Sequence, residues 1–151
     1  MQKEKFLGIE ISKVNNMLGR HIIKESTKRK FYEATNKNGW IIAYLAENND
    51  KEIFQRDIEE QFSIRRSTVS NIVQLMEKKG YIQRESVPYD ARLKKLTLTP
   101  KAEKIYSFML DDIKDYENKM RQGISDEELT VFFNVLQKIQ KNIDDKGGNK
   151  S

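Results

Sequence analysis

The sequence predicts an all-α protein that carries one small β-hairpin. Three observations predict it. Apolar residues recur at three-to-four spacing over most of the 151 residues, the period of helices that bury one stripe. The period changes to alternation only between Tyr81 and Thr99, as a pair of strands requires. The seven glycines and two prolines fall at few places, and so punctuate the chain at its element ends.

Each element follows in order. Residues 4–33 lack proline, and Phe6, Leu7, Ile11, Val14, Leu18 and Ile22 share one stripe, which predicts a long first helix. Thr35 to Gly39 breaks it. Trp40, Ile41, Tyr44 and Leu45 predict a second helix, ended by the polar turn Glu47-Asn48-Asn49-Asp50. Phe54, Ile58 and Phe62 mark a short third helix. A fourth is expected from about Arg65 to Lys79, with Gly80 as its left-handed cap.

Tyr81–Glu85 and Leu93–Thr99 read as strands, and residues 86–92 between them as a polar loop. Thr99-Pro100 has the chemistry of a helix start, with a capping hydroxyl followed by a residue whose missing N–H costs nothing there. Ala102, Ile105, Tyr106, Met109, Ile113, Tyr116 and Met120 carry that fifth helix to Gly123. Ser125-Asp126-Glu127-Glu128 is a capping box opening the sixth, with Ile124 and Leu129 as a hydrophobic staple. Leu129, Phe132, Phe133, Leu136, Ile139 and Ile143 form its stripe, and residues 146–151 are expected to fray.

The length suits one domain with a core of useful size, since folding at this size buries about 70% of the chain's surface. Cysteine is absent, which excludes disulfides, thiolate metal sites and thiol-based oxidant sensing. His21 is the single histidine, so a histidine-rich metal site or a Ser-His-Asp hydrolase is not expected. Asp111, Asp112 and Asp115 have no histidine to work with and read as a solvated helix face. No glycine-rich phosphate loop, cofactor motif or catalytic constellation is present, so the chain reads as a non-enzyme without cofactor. No apolar run approaches a membrane span and the N-terminus lacks a secretory core; the expectation is a soluble, cytoplasmic protein.

The charge is unevenly placed. Residues 63–101 hold nine Lys/Arg against three acids, while the other 112 residues hold 19 against 20. One stretch of 39 residues thus carries the whole net charge of +5 and one more. Such a footprint suits a surface that meets a polyanion, most often nucleic acid. A chance excess on a solvated face is the plainer alternative.

The fourth helix weighs between them. Val69, Ile72, Val73 and Met76 make its apolar stripe; Ser67, Ser70, Asn71, Gln74 and Lys78 share the opposite face. Short hydroxyls and amides headed by Arg65 and Arg66, with Thr68 beside them, suit base edges and phosphates in a major groove. Glu77 is the only carboxylate from Ser63 to Arg84, where an ordinary solvated helix mixes signs. Helix, turn, helix and hairpin over residues 53–99 describe a winged helix-turn-helix. An arginine on the hairpin, Arg92, suits a narrow minor groove; its plainer role is a surface ion pair with Asp90. Lys94, Lys95 and Lys101 are candidate phosphate contacts.

The run from Phe62 to Ile82, the segment Asp90-Ala-Arg92-Leu-Lys-Lys-Leu-Thr-Leu-Thr99 and Leu18-Gly19-Arg20 together resemble the multiple-antibiotic-resistance regulator (MarR) family. The resemblance extends over nearly the whole chain, and the wing motif Asp-x-Arg followed by Leu-Thr-Leu-Thr-Pro carries most of it. It implies a triangular homodimer with residues 1–35 and 100–145 as dimerisation helices and 36–99 as the DNA-binding part. It further implies that Asp90 braces Arg92 as the wing enters a minor groove of a pseudo-palindromic operator. Repression relieved by a small anionic or phenolic effector is the family's usual mode. Val87-Pro88-Tyr89 departs from the family pattern, so Tyr89 is expected to pack differently at the wing's tip. Arg20, His21 and Trp40 are candidate effector residues; an ion pair, a structural histidine and a core tryptophan are their plainer readings. An activator, an anti-repressor or a protein-interaction module are the alternative functions.

Overall fold

The computed structural model describes residues 4–22 and 39–144. Among them are six helices and one two-stranded antiparallel sheet: α1 (Leu7–Ile22), α2 (Gly39–Glu47), α3 (Gln55–Gln61), α4 (Arg66–Lys78), β1 (Ile82–Val87), β2 (Asp90–Leu98), α5 (Pro100–Arg121) and α6 (Asp126–Ile143). This is the expected class. The first helix beyond Ile22, the break at residues 35–38, the side chain of His21 and the tail at 146–151 lie outside the described residues. By its packing the chain divides into the units Met1–Leu110 and Asp111–Ser151, the division falling inside α5.

The first unit holds the core. Ile41, Ile42 and Leu45 of α2, Ile58 of α3 and Val69, Val73 and Met76 of α4 are buried together with Ile53, Tyr81, Ile82, Leu96 and Ala102. Fully burying each large aliphatic side chain contributes about 1.5–3 kcal/mol, so this cluster fixes α4 against α2 and α3. Between α3 and α4 the chain turns through Ser63, a non-glycine residue at φ 49°.

The end of α4 is closed by two backbone bonds of a Schellman turn: Tyr81 N–H to Met76 C=O at 2.9 Å and Gly80 N–H to Glu77 C=O at 3.0 Å. Gly80 supplies the left-handed backbone, at φ 77°. Thr99 caps α5, its hydroxyl accepting the Ala102 N–H at 3.3 Å. Ser125 and Glu128 make the expected reciprocal box at α6: Ser125 Oγ accepts the Glu128 N–H at 3.2 Å, and Glu128 Oε2 accepts the Ser125 N–H at 2.9 Å.

Two expectations need correction. The hairpin loop is shorter than the polar stretch 86–92: β1 reaches Val87 and β2 starts at Asp90, leaving Pro88-Tyr89 as the turn. The ladder is irregular there. Ser86 pairs with Lys94 but Val87 with Asp90, so one step along β1 matches four along β2 and residues 91–93 bulge from the wing. Polarity suggested a loop because most of this ribbon is solvated, although Val87 is buried in it. Phe54, expected as the first apolar residue of α3, stands just outside it in extended conformation (φ −109°, ψ 164°). There it bridges to Lys95, while the Leu96 N–H donates to Ile53 C=O at 2.7 Å. The chain entering α3 thereby satisfies part of the open edge of β2.

Within the second unit α6 has no buried residue, and Val131, Phe132, Phe133, Val135 and Ile143 are exposed. Phe6, Leu7, Ile9, Ile11, Val14 and Met17 are exposed on and before α1.

Candidate nucleic-acid interface

The buried stripe of α4 dictates which side faces outward. With Val69, Val73 and Met76 in the core, Ser67, Asn71, Gln74 and Lys78 are all exposed on the opposite side. Thr68 is exposed about 100° around the helix from Ser67. Ser70 is half-buried at the edge of this face, its hydroxyl accepting from Gln55 Nε2 at 2.6 Å. Gln55, at the first position of α3, thereby ties the two helices together. Arg65 occupies the N-cap of α4 and Arg66 its first turn, both exposed, and no side chain caps this helix start. Helix N-termini of this kind favour anions through their unpaired amides and dipole.

The three acids of residues 63–101 are each paired with a base. Arg84 Nε lies 3.2 Å from Glu77, Lys95 Nζ 3.6 Å from Glu85, and Arg92 Nε 3.2 Å from Asp90. The other bases of this stretch are Arg65, Arg66, Lys78, Lys79, Lys94 and Lys101. Among them Lys94 donates to Ser86 Oγ at 2.6 Å, and Lys101 donates to Lys79 C=O at 3.1 Å while its ammonium sits 4.7 Å from the centre of the Tyr81 ring. Strand alternation puts Lys94 on the sheet face of Arg84, which reaches α4, and Lys95 on the other face with Glu85.

At the wing, Asp90 accepts three bonds from Arg92: the backbone N–H at 2.9 Å, Nε at 3.2 Å and Nη2 at 3.3 Å. The guanidinium and then the amide of Arg92 hold the Asp90 carboxyl below its ordinary pKa. The Arg92 side chain is nonetheless 90% exposed; the pair orients a cation without hiding it. Tyr89, on the turn, donates its hydroxyl to Glu52 Oε2 at 2.5 Å, and this bond with the neighbouring carboxylates raises the phenol's pKa.

Of the candidate effector residues, Arg20 and Trp40 have described side chains. Arg20 is exposed on α1. Trp40 is half-buried, its ring 4.1 Å from that of Phe62, which also meets Tyr44 edge-on at 5.5 Å. Trp40 is thus part of the packing around α2. Sequence reasoning missed Gln55 and Glu52, because their partners lie 15 and 37 residues away and no local pattern announces either.

Comparison with known proteins decides the family. A family model described as MarR family matches residues 36–93. The structure of the transcription regulator MarR from Oenococcus oeni PSU-1 is 31% identical, with 90% of this chain and 99% of that one covered and a TM-score of 0.79. The chain belongs to the MarR family. Members are DNA-binding transcription regulators without catalytic activity, and this MarR-family chain is of that class. An HTH-type transcriptional regulator of Bacillus subtilis (strain 168), YsmB, is 28% identical over 74 residues, 49% of this chain; the match spans about half, 51%, of that regulator. The S. aureus MepR–DNA complex shares the MarR fold at 21% identity and a TM-score of 0.77, covering 93% of this chain and 100% of that one.

Proposed function

We propose that the chain acts as a homodimer on a pseudo-palindromic operator in duplex DNA and represses transcription there. In this reading the face Ser67, Ser70, Asn71, Gln74 and Lys78 enters the major groove, with Arg65, Arg66 and Thr68 on flanking phosphates. Arg92, braced by Asp90, enters the adjacent minor groove, and Lys94 and Lys95 serve the wing's phosphate contacts. The observation that carries the reading is the outward face of α4, exposed and free of acids from Arg65 to Gln74, beside an exposed and oriented arginine on the wing. A core that locks α4 in place supports it, because base readout needs a rigid helix.

The dimer is proposed from the apolar residues that α1 and α6 leave exposed. Two protomers then read two half-sites about one DNA turn apart, roughly 34–36 Å. Release by a small anionic or phenolic effector belongs to the same proposal, with Arg20, His21 and Trp40 as its residues; the packing of Trp40 on Phe62 makes it the least available of them. Titration of purified protein against a selected duplex and a random one, at two salt concentrations, tests the reading. A steep salt dependence with a specific excess of about 10³-fold or more supports it. Equal weak binding to both duplexes points instead to a protein partner for the basic face.

A further inference from the structure

Asp90 orients Arg92, but the two residues lie in the same ribbon. Their pairing fixes the guanidinium relative to the wing and says nothing of the wing relative to α4. A contact between the tip and the body of the domain is needed for that, because a two-stranded ribbon twists and bends. The base of the wing has such contacts: Leu96 N–H to Ile53 C=O and the Phe54–Lys95 bridge. Near the tip, beyond Lys94, the ladder is interrupted by the bulge at residues 91–93. The Tyr89–Glu52 bond spans this weak part. Glu52 directly precedes Ile53, which is buried in the same cluster as Val69, Val73 and Met76 of α4. A continuous path therefore runs from Arg92 through Asp90, Tyr89, Glu52 and Ile53 to the helix that faces the major groove.

We propose that Tyr89 and Glu52 form a latch that fixes the wing's tip relative to α4, making Tyr89 a positioning residue for Arg92. The latch rests on the DNA-binding reading given above. Without it the turn beyond the buried Val87 is held less tightly until it meets DNA, and the ordering cost is taken from affinity. The effect concentrates on sites whose flanks present a narrow, A·T-rich minor groove, since those gain most from Arg92.

The experiment compares wild type with Tyr89→Phe, Glu52→Ala and Arg92→Ala. Amide hydrogen exchange is read at residues 89–93, and binding is measured on duplexes with A·T-rich and G·C-rich flanks. Tyr89→Phe is expected to speed exchange at the tip and leave the melting temperature unchanged. It should lower affinity for the A·T-flanked duplex about fivefold, and have little further effect on top of Arg92→Ala. Glu52→Ala is the decisive control. Removing a negative charge beside DNA raises affinity by electrostatics alone, so a loss comes from the latch. Faster exchange with unchanged affinity, a gain for Glu52→Ala, or an undiminished loss in the Arg92→Ala background would each overturn the proposal. If wild type binds no duplex specifically, or Arg92→Ala costs nothing, the DNA reading fails and the latch loses its role with it. The exchange data then still report separately whether the contact forms.

Discussion

The hydroxyl of Thr99 donates to the carbonyl of Gly80 at 2.6 Å, closing the base of the wing across 19 residues of chain. The Thr99 N–H donates to Tyr81 C=O at 3.1 Å, and its oxygen caps α5 through the Ala102 N–H. One nearly buried side chain thus joins the end of α4, the start of β1 and the start of α5. Losing a helix cap costs about 1 kcal/mol, and leaving the part-buried Gly80 carbonyl without its partner adds about as much again. Thr99→Val should therefore destabilise the fold by about 2 kcal/mol in denaturant unfolding at fixed protein concentration, while Thr99→Ser keeps most of the stability.

Gly80 itself offers a cleaner backbone test. A Cβ built there meets nothing within 4 Å, and its φ of 77° is unfavourable for any side chain. Gly80→Ala is expected to cost about 1 kcal/mol through conformation alone. Gly123→Ala, at φ 76° and in equally open space, should cost a similar amount in the same assay.

The wing brace has a pH signature. The Asp90 carboxyl titrates below its ordinary value because the charged form is bonded by Arg92. A lowered folded pKa means that the contribution is fully present above the unfolded value and lost only as pH falls through the folded one. The brace should therefore be intact throughout the neutral and mildly acidic range. A carboxyl-carbon NMR titration should give Asp90 a midpoint below that of an ordinary aspartate, and Arg92→Ala should move it upward.

The helix boundaries were legible because they are written in local chemistry: glycine at 80, Thr99-Pro100, and serine with glutamate at 125 and 128. The exposed face of α4 followed from its apolar stripe. The wing was legible as a hairpin but not in its register, since the bulge at 91–93 leaves no mark on a polar ribbon. Phe54 has the spacing of a helical residue yet pairs with β2. That choice is made by the open strand edge, which lies 41 residues away at Lys95. The Tyr89–Glu52 and Gln55–Ser70 bonds are likewise products of tertiary folding. The departure of Val87-Pro88-Tyr89 from the family pattern points to different packing of Tyr89, but nothing local names Glu52 as its partner.

Assembly is tested through the exposed residues of α6. If Phe132 and Phe133 lie in a dimer interface, Phe133→Asp should give monomers, or a largely unfolded chain, at concentrations where wild type sediments as a dimer. A well-folded wild-type monomer at micromolar concentration in analytical ultracentrifugation would contradict the proposed dimer.

Base reading by the outer face of α4 and groove reading by Arg92 are separated by one comparison. Gln74→Ala, Arg92→Ala, Lys94→Ala and Lys95→Ala are titrated against a selected operator and a random duplex at two salt concentrations. Gln74→Ala should cost about 1–3 kcal/mol on the operator and little on random DNA. Arg92→Ala should weaken operator binding strongly and reduce any preference for A·T-rich flanks. Lys94→Ala should weaken both duplexes alike and lower the salt slope by about one per contact. Lys95→Ala should do less, because Lys95 is paired with Glu85 on the other face of the hairpin. Equal losses on both duplexes for Gln74→Ala, or no loss for Arg92→Ala, would show that a different face of the domain meets the DNA.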